Sequence, residues 1–496
     1  MPNAECYASH SIVLTDYAKV RTMSQPTPTP PRPIDAILGP LEQLFGERLS
    51  TNATVLETHG RGEGFLESAP PDAVVFPVST AEVSALAKLC FAHGVPMVPF
   101  GAGTSLEGHV AAPHGGVCID FSQMNQILAV HAEDMDVVVQ PGITRKQLNQ
   151  HLRDTGLFFP IDPGADATVG GMVATRASGT AAVKYGTMKD VVLALEVVMA
   201  DGRIVTTATR ARKSAAGYDL TRLMVGSEGT LGIITSITLK LAGIPEAVSA
   251  AVAAFASIED AVNCVIATIQ MGVPMARIEL MDAVAMQAVN QYAKLDYAQT
   301  PTLFLEFEGS PAAVAEQAET FEAIAEDFAV ETFDWATSPE DRTRLWTARH
   351  DAYFAGLALK PGAQALTTDV CVPVSNLAQC ISRTHQALED SALIGTILGH
   401  VGDGNYHTLI LFDPASEHEW AEAQRINGEI VAHALALDGT CTGEHGIGHG
   451  KAKYLAQELG DHAVDVMSAI KAALDPTGIL NPGKITTAPK STEQQP

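Results

Sequence analysis

The chain has only seven cysteines in 496 residues, and no two of them form a C-x-x-C pair. Cys6, Cys90, Cys118, Cys264, Cys371, Cys380 and Cys441 are scattered, which suits a reducing compartment and argues against an intrinsic iron-sulfur cluster. No run of 18 or more apolar residues occurs, so no helical segment is long enough to span a bilayer. Positive charge is scarce as well: 31 Lys and Arg stand against 57 Asp and Glu, a formal net charge of −26. Nucleic acid and anionic lipid carry the same sign and are poor partners for such a surface. A small anionic substrate would need a local cationic pocket or a metal. Also absent are a G-x-G-x-x-G dinucleotide fingerprint, a Walker loop, an H-E-x-x-H pair and any internal repeat.

At this length two or three domains are expected. Residues 1–33 include Thr27-Pro28-Thr29-Pro30-Pro31-Arg32-Pro33 and read as a disordered extension, with Met1 or Met23 as the start. A helix is expected around Ile34–Leu38, followed by a polar loop to about 68. Ala73-Val74-Val75-Phe76-Pro77 reads as a strand, Val83 to His93 as a helix capped from Ser79-Thr80-Ala81-Glu82, and Met97-Val98-Pro99-Phe100 as a second strand. Texture changes near Gly243-Ile244-Pro245. Beyond it, helices expected over Ile258–Gln270 and Pro311–Asp327 alternate with strands such as Thr302–Phe307, which suggests an α+β sheet with helices on one face. A last helix is expected over Ala463–Leu474, and residues 487–496 read as a disordered tail.

Four glycine clusters lie between the short strands of the first half: Gly101–Gly108, Asp162–Gly171, Ala177–Thr180 leading to Lys184-Tyr185-Gly186-Thr187, and Val225–Ile234. Each alone is a turn signal. Together they suggest a long ligand threaded through backbone amides, because glycine lets the backbone approach closely and successive N–H groups can cradle phosphate.

The second half carries Gly399-His400-Val401-Gly402-Asp403-Gly404-Asn405-Tyr406-His407-Thr408, and later Thr442-Gly443-Glu444-His445-Gly446. Asp403-Gly404 is a strong signal for a two-residue hairpin turn. Counting outward from that turn pairs 402 with 405, 401 with 406 and His400 with His407. Two imidazoles opposed across a hairpin, with Glu444 as third ligand, would hold a catalytic divalent ion such as zinc or manganese and leave positions open. A catalytic base beside the metal completes the pattern.

Over residues 69–486 the chain resembles the vanillyl-alcohol oxidase/PCMH class of FAD enzymes, and within it the D-lactate dehydrogenase and glycolate oxidase flavoprotein group. The segments that carry the resemblance are Pro99–Gly108, Tyr185-Gly186-Thr187-Met188, Gly226–Gly232, Gly439–Gly446 and the closing Asp475-Pro476 with Leu480-Asn481-Pro482-Gly483-Lys484. The resemblance implies an α+β protein, with a PCMH-type FAD domain of two subdomains over 34–245 and an antiparallel-sheet substrate domain over 246–486. It implies FAD contacts at Gly101, Ala102, Gly103, Thr104 and Ser105, at Pro163, Gly164, Gly170 and Gly171, at Ser178, Gly179, Tyr185 and Gly186, at Glu228, Gly229, Gly232 and Ile233, and at Asn481. Relatives with covalent flavin carry a histidine in the first loop where Thr104-Ser105 stand, so FAD is expected without a covalent link; His109 lies just beyond. Arg176 replaces the asparagine or small residue that relatives often have. The metal ligands carry over onto His400, His407 and Glu444, the base onto His445, and the arginine that binds the substrate carboxylate onto Arg349 of Trp346-Thr347-Ala348-Arg349. Relatives that oxidise D-2-hydroxyglutarate have a lysine where Thr367 precedes Thr368-Asp369-Val370-Cys371-Val372-Pro373, which argues here for D-lactate over a dicarboxylate.

The implied reaction takes a D-2-hydroxy acid to the 2-oxo acid, with FAD as first acceptor. With no haem, cluster or nicotinamide motif present, electrons must leave to an external acceptor: a c-type cytochrome, a quinone, an electron-transfer flavoprotein or oxygen itself. The alternative is the flavoprotein subunit of a glycolate oxidase complex. A homodimer is expected, cytoplasmic with peripheral contact at the membrane face allowed for, or mitochondrial in a eukaryote. From other classes, a metallohydrolase leaves the glycine loops unexplained, and a module without turnover sits poorly with a full set of His400, His407, Glu444 and His445.

Overall fold

The computed structural model describes residues 33–64, 68–336 and 338–486. The expected extension over 1–33, Pro33 apart, and the expected tail over 487–496 lie outside the described residues.

Three short apolar runs form a parallel sheet in the order Ala73–Val75, Val117–Asp120, Met97–Phe100, and Leu49–Ser50 adds an antiparallel edge. The helix Thr80–His93 carries the chain from Ala73–Val75 across to Met97–Phe100, on the far side of Val117–Asp120. The Ser79 hydroxyl caps it by accepting from the amide of Glu82, and Gly94, at φ 65°, ends it. The helix expected around residue 34 is a 3₁₀ turn, Pro33–Ala36, followed by helices Leu38–Phe45 and Ala53–His59. A second, antiparallel sheet follows in the order Ile127–His131, Asp136–Val139, Ile233–Lys240, Val192–Val198, Ile204–Thr206. Its inward residues Val137, Val139, Leu195, Val197, Ile237 and Leu239 pack on Val169, Met172 and Val173 of the helix Val169–Thr175.

Beyond residue 246 an antiparallel sheet runs Val330–Ala336, Ala247–Phe255, Thr302–Gly309, Arg277–Met281, Ile394–Gly399, Asn405–Phe412, Gln364–Thr367, with Val370–Cys371 paired to Asn405–Phe412. Helices cover both faces rather than the one expected. The reason is in the strands: Leu303, Leu305 and Phe307 point to one core with helices Ile258–Gln270, Pro311–Asp327 and Leu377–Glu389. Phe304, Leu409 and Leu411 point the other way, to Ala283–Ala293, Pro339–His350 and Ala352–Ala358. Apolar residues on both sides of these strands leave no face to be solvated. That second face also carries Arg277, Glu279, Glu306 and Glu308, with Arg277 directly opposite Glu306. There the sheet meets the first half: Arg277 Nη2 lies 3.1 Å from Asp162 and Lys184 Nζ 2.8 Å from Glu308.

The end of the chain returns to the first half. Ile479 and Leu480 are buried in the core of the parallel sheet, and Asn481 N–H donates to the Met97 carbonyl at 2.8 Å. Among the described residues no helix is long and apolar enough to cross a membrane.

Candidate active site

The strands Ile394–Gly399 and Asn405–Phe412 form the expected hairpin in a different register. Leu398, not His400, pairs with His407, and His400–Gly404 form the connection. A two-residue type I′ turn needs positive φ at both central residues, whereas only Gly404 has it, at 79°. The loop closes instead on the His400 carbonyl, which accepts from the amides of Asp403 at 3.0 Å and Asn405 at 3.3 Å. Gly399 permits the tight return, since a Cβ there would lie 2.5 Å from the Asn405 oxygen. His400 and His407 still meet, with ring centroids 5.4 Å apart.

Glu444 completes the group. Its Oε1 lies 3.2 Å from His400 Nε2 and 3.2 Å from His407 Nε2, and one donor atom from each of the three residues falls within 4.8 Å of the others. Their remaining atoms are occupied. His400 Nδ1 meets Glu279 Oε1 at 2.7 Å, His407 Nδ1 meets the Thr368 carbonyl at 3.2 Å, and Glu444 Oε2 accepts from the Ser178 hydroxyl at 2.7 Å. Convergent Nε2 atoms with each Nδ1 held by an oxygen are the arrangement of ligating histidines, so the residues fit a divalent ion. Burial alone would lower the pKa of His400, but Glu279 and Glu444 outweigh it and raise it well above the ordinary value. Asp369, His407 and His445 form a second close group. Asp369 Oδ2 is already spent, however, on the amides of Glu444 and His445, both at 2.9 Å, and on the Thr442 hydroxyl at 2.8 Å.

Asp369 thus holds the loop that presents both functional side chains. Asn405 Nδ2 donates to its Oδ1 at 2.8 Å, and Lys451 Nζ lies 3.6 Å from Oδ2 and 3.3 Å from Glu107 of the first half. Burial would raise the pKa of Asp369, but neighbouring His445, Lys451 and His407 outweigh that and hold the carboxyl far below the usual range. The ring of His445 stacks on that of His407 at 5.0 Å and 9°. Its Nδ1 is buried without a partner, and burial lowers its pKa to about 4, leaving a neutral imidazole. Arg349 is buried on the helix Pro339–His350. Its Nη2 donates to Glu279 Oε2 at 2.6 Å, and its Nε is buried without a partner.

The four glycine clusters come together in the first half. The amides of Ala102, Gly103, Thr104 and Ser105 have no acceptor among the described residues. Gly101 cannot carry a side chain, because its Cβ would lie 2.2 Å from Thr168 Oγ1, and Gly103 has φ 71°. Thr168 in turn caps the helix Val169–Thr175, whose first turn holds Gly170 and Gly171, and a Cβ on Gly170 would press on Pro141. Gly179 lies against Asp162, Gly186 (φ 77°) against Asp190, Gly229 (φ 72°) against Pro99, and Gly232 against Val197. Pro163 is half-buried and Gly164 exposed. Unbonded amides beside enforced glycines fit a pyrophosphate cradle.

Several other residues expected at the cofactor have their side chains committed elsewhere. Ser178 serves Glu444, and the Tyr185 hydroxyl donates to Glu308. Glu228 accepts from the amides of Ile447 at 2.7 Å and Gly448 at 2.8 Å, clamping the His445 loop to the first half. Asn481 Nδ2 donates to the carbonyls of Glu228 at 2.7 Å and His109 at 3.1 Å, while Ile233 is wholly in the core. Arg176, at φ 58°, ends its helix and donates to the Val225 carbonyl at 3.1 Å. His109 lies beneath the loop, 3.3 Å from Glu228. Sequence reasoning missed Glu279; the signal was an acid set between Ile278 and Leu280 in an apolar strand.

Residues 71–208 match the model of the FAD binding domain, and residues 244–485 that of the C-terminal domain of FAD linked oxidases. The chain is 52% identical to the probable mitochondrial D-lactate dehydrogenase of Danio rerio over 93% of this chain and 94% of that one. It is 49% identical to the mitochondrial D-lactate dehydrogenase [cytochrome] of Arabidopsis thaliana, over 90% and 80% of the two chains. Identity to the glycolate oxidase subunit GlcD of Bacillus subtilis is 36%, over 84% and 89%. Among solved structures, p-cresol methylhydroxylase superposes with a TM-score of 0.77 at 16% identity, covering 92% of this chain and 97% of that one, a likeness of fold.

Proposed function

The chain belongs to the FAD-linked oxidases, and from that premise we propose that it oxidises a D-2-hydroxy acid, D-lactate before others, to the 2-oxo acid. The observation that carries this reading is the meeting of His400, His407 and Glu444 with His445 and Arg349 where the sheet faces the glycine loops. The names of the most similar relatives reported above point to D-lactate. Thr367, in place of a lysine, supports a monocarboxylate. The lower identity to the glycolate oxidase subunit makes that reading second.

FAD, when bound, supplies a two-electron acceptor for the carbon bearing the hydroxyl, and a divalent ion held by His400, His407 and Glu444, zinc or manganese by its donors, supplies a Lewis acid. The amides of Ala102 to Ser105 would hold the pyrophosphate, and no covalent flavin link is expected. Arg349, anchored through Nη2, offers its unpartnered Nε to the substrate carboxylate and fixes the molecule's orientation. His445, neutral and with Nδ1 free of any partner, accepts the hydroxyl proton there. Asp369 keeps both His445 and Glu444 in register through their amides. Electrons then pass to an external acceptor. A c-type cytochrome is favoured by the relatives' names, ahead of a quinone or an electron-transfer flavoprotein. In a eukaryotic cell the protein is assigned to the mitochondrion on the same basis.

The test is anaerobic addition of D-lactate, with L-lactate as control, to the purified protein while the visible flavin band is followed. Bleaching by the D form alone is expected. A band that neither isomer bleaches, but that glycolate does, would overturn the substrate in favour of the second reading. Absence of any flavin band would overturn the whole.

A further inference from the structure

We propose that Glu279 is the positioning residue that joins the two arms of the site, setting the His400 tautomer for the metal and the Arg349 guanidinium for the substrate carboxylate. The inference rests on the metal and substrate reading above and adds to it a residue outside the ligand set and the base.

Glu279 sits in the middle of the strand Arg277–Met281 with no exposed surface, between Ile278 and Leu280, which point to the opposite core. A carboxylate in such a place is tolerated only when both oxygens are well paired. Here each oxygen has one partner: Oε1 lies 2.7 Å from His400 Nδ1 and Oε2 lies 2.6 Å from Arg349 Nη2. An ionised carboxylate only accepts, so His400 must carry its proton on Nδ1. Nε2, 3.2 Å from Glu444 Oε1, is then the nitrogen that gives up its proton for an ion shared with His407 and Glu444. Arg349, anchored by one nitrogen, keeps its buried Nε without a partner. One carboxylate therefore orients a metal ligand and a substrate ligand at once.

Glutamine at 279 has only one accepting oxygen. With that oxygen on Arg349, its NH2 faces His400 Nδ1 and drives the ring proton to Nε2, which can then no longer hold an ion. The experiment is competition of Mn2+ and Zn2+ between chelator-treated protein and a metallochromic indicator, for wild type and Glu279→Gln, with flavin content read from the visible band. Metal affinity is expected to fall by about 10–100-fold at unchanged flavin content. Because Glu279→Gln leaves Arg349 buried beside a neutral group, the same comparison is made between Arg349→Met and Arg349→Met/Glu279→Leu, in which that charge is gone and no amide can turn an oxygen to His400 Nδ1. Adding Glu279→Leu to Arg349→Met removes the acceptor for His400 Nδ1–H altogether and should likewise lower affinity by about 10–100-fold. Equal affinities within both pairs would overturn the role of Glu279. Wild-type protein that binds neither ion would overturn the metal reading itself and this inference with it, an outcome distinct from a wild type and variant that bind equally well.

Discussion

His445 and Arg349 each retain one buried nitrogen without a protein partner; Asn405 Oδ1 and Thr408 Oγ1, on the strand that carries His407, are likewise open. A buried donor or acceptor left open costs on the order of 1–3 kcal/mol, and on the proposed reading substrate would relieve that cost at the two nitrogens. Their neighbours set their roles. Asp369 binds the His445 backbone and leaves the ring free, while Glu279 fixes one side of the Arg349 guanidinium. His445→Gln keeps a polar group of similar reach but cannot take up a proton. It is expected to lower kcat by about 10²–10⁴-fold with flavin and metal content unchanged, as read by stopped-flow bleaching with D-lactate. Wild-type bleaching in that variant would remove the base. His400, His407, Glu444 and His445 were legible in sequence because glycines frame them in short recognisable runs. Glu279 was not, because its meaning lies in partners 121 and 70 residues away, which no local pattern encodes.

Hairpins and caps divide the elements into those the sequence specifies locally and those it does not. The helices Ile258–Gln270 and Pro311–Asp327 fall at the bounds read from sequence, since Ser257 and Ser310 cap them with side-chain oxygens. The His400–His407 hairpin was recognisable, but its register was not. Asp403 does not adopt positive φ, and the loop is held by partners on other elements, the His400–Glu279 pair among them. A tertiary tie of this kind also joins the strand Asp136–Val139 to the segment after Ile204–Thr206. Arg210 Nη2 lies 2.9 Å from Asp136 and 2.7 Å from Asp134, and His131 Nδ1 lies 2.7 Å from Asp136. Burial would raise the pKa of Asp136, but Arg210 and His131 outweigh it and lower it. Its ion pairs therefore stabilise the fold above the unfolded Asp value of about 3.9 and lose that contribution as pH falls through the lower folded value. Arg210→Ala should thus melt below wild type at neutral pH, with the gap narrowing as pH falls below about 4. A gap that stays constant in calorimetry across that range would show that the arginine stabilises by packing alone.

Across the whole molecule the site is assembled by two halves, and neither holds it complete. Ser178 of the first half binds Glu444 of the second, Glu228 clamps the amides of Ile447 and Gly448, and Glu107 meets Lys451. The closing segment Ile479–Asn481 threads back into the first core. The chain as a whole carries a formal net charge of −26, and the two reactants proposed for it respond to that field oppositely. An anionic hydroxy acid approaches against the long-range potential and is held by the ion site and Arg349, whose reach is local. A basic ferricytochrome c is attracted over distances of about a Debye length, roughly 10 Å at 0.1 M salt and 30 Å at 0.01 M. Raising ionic strength should therefore slow cytochrome reduction by about tenfold or more, the range over which electrostatic steering acts. It should leave kcat/KM for D-lactate with a neutral dye acceptor flat or slightly higher. Steady-state rates with each acceptor between low and moderate salt would distinguish the two. If cytochrome reduction proved as insensitive to salt as dye reduction, the acidic surface would have no part in steering, and a quinone would become the better acceptor to test.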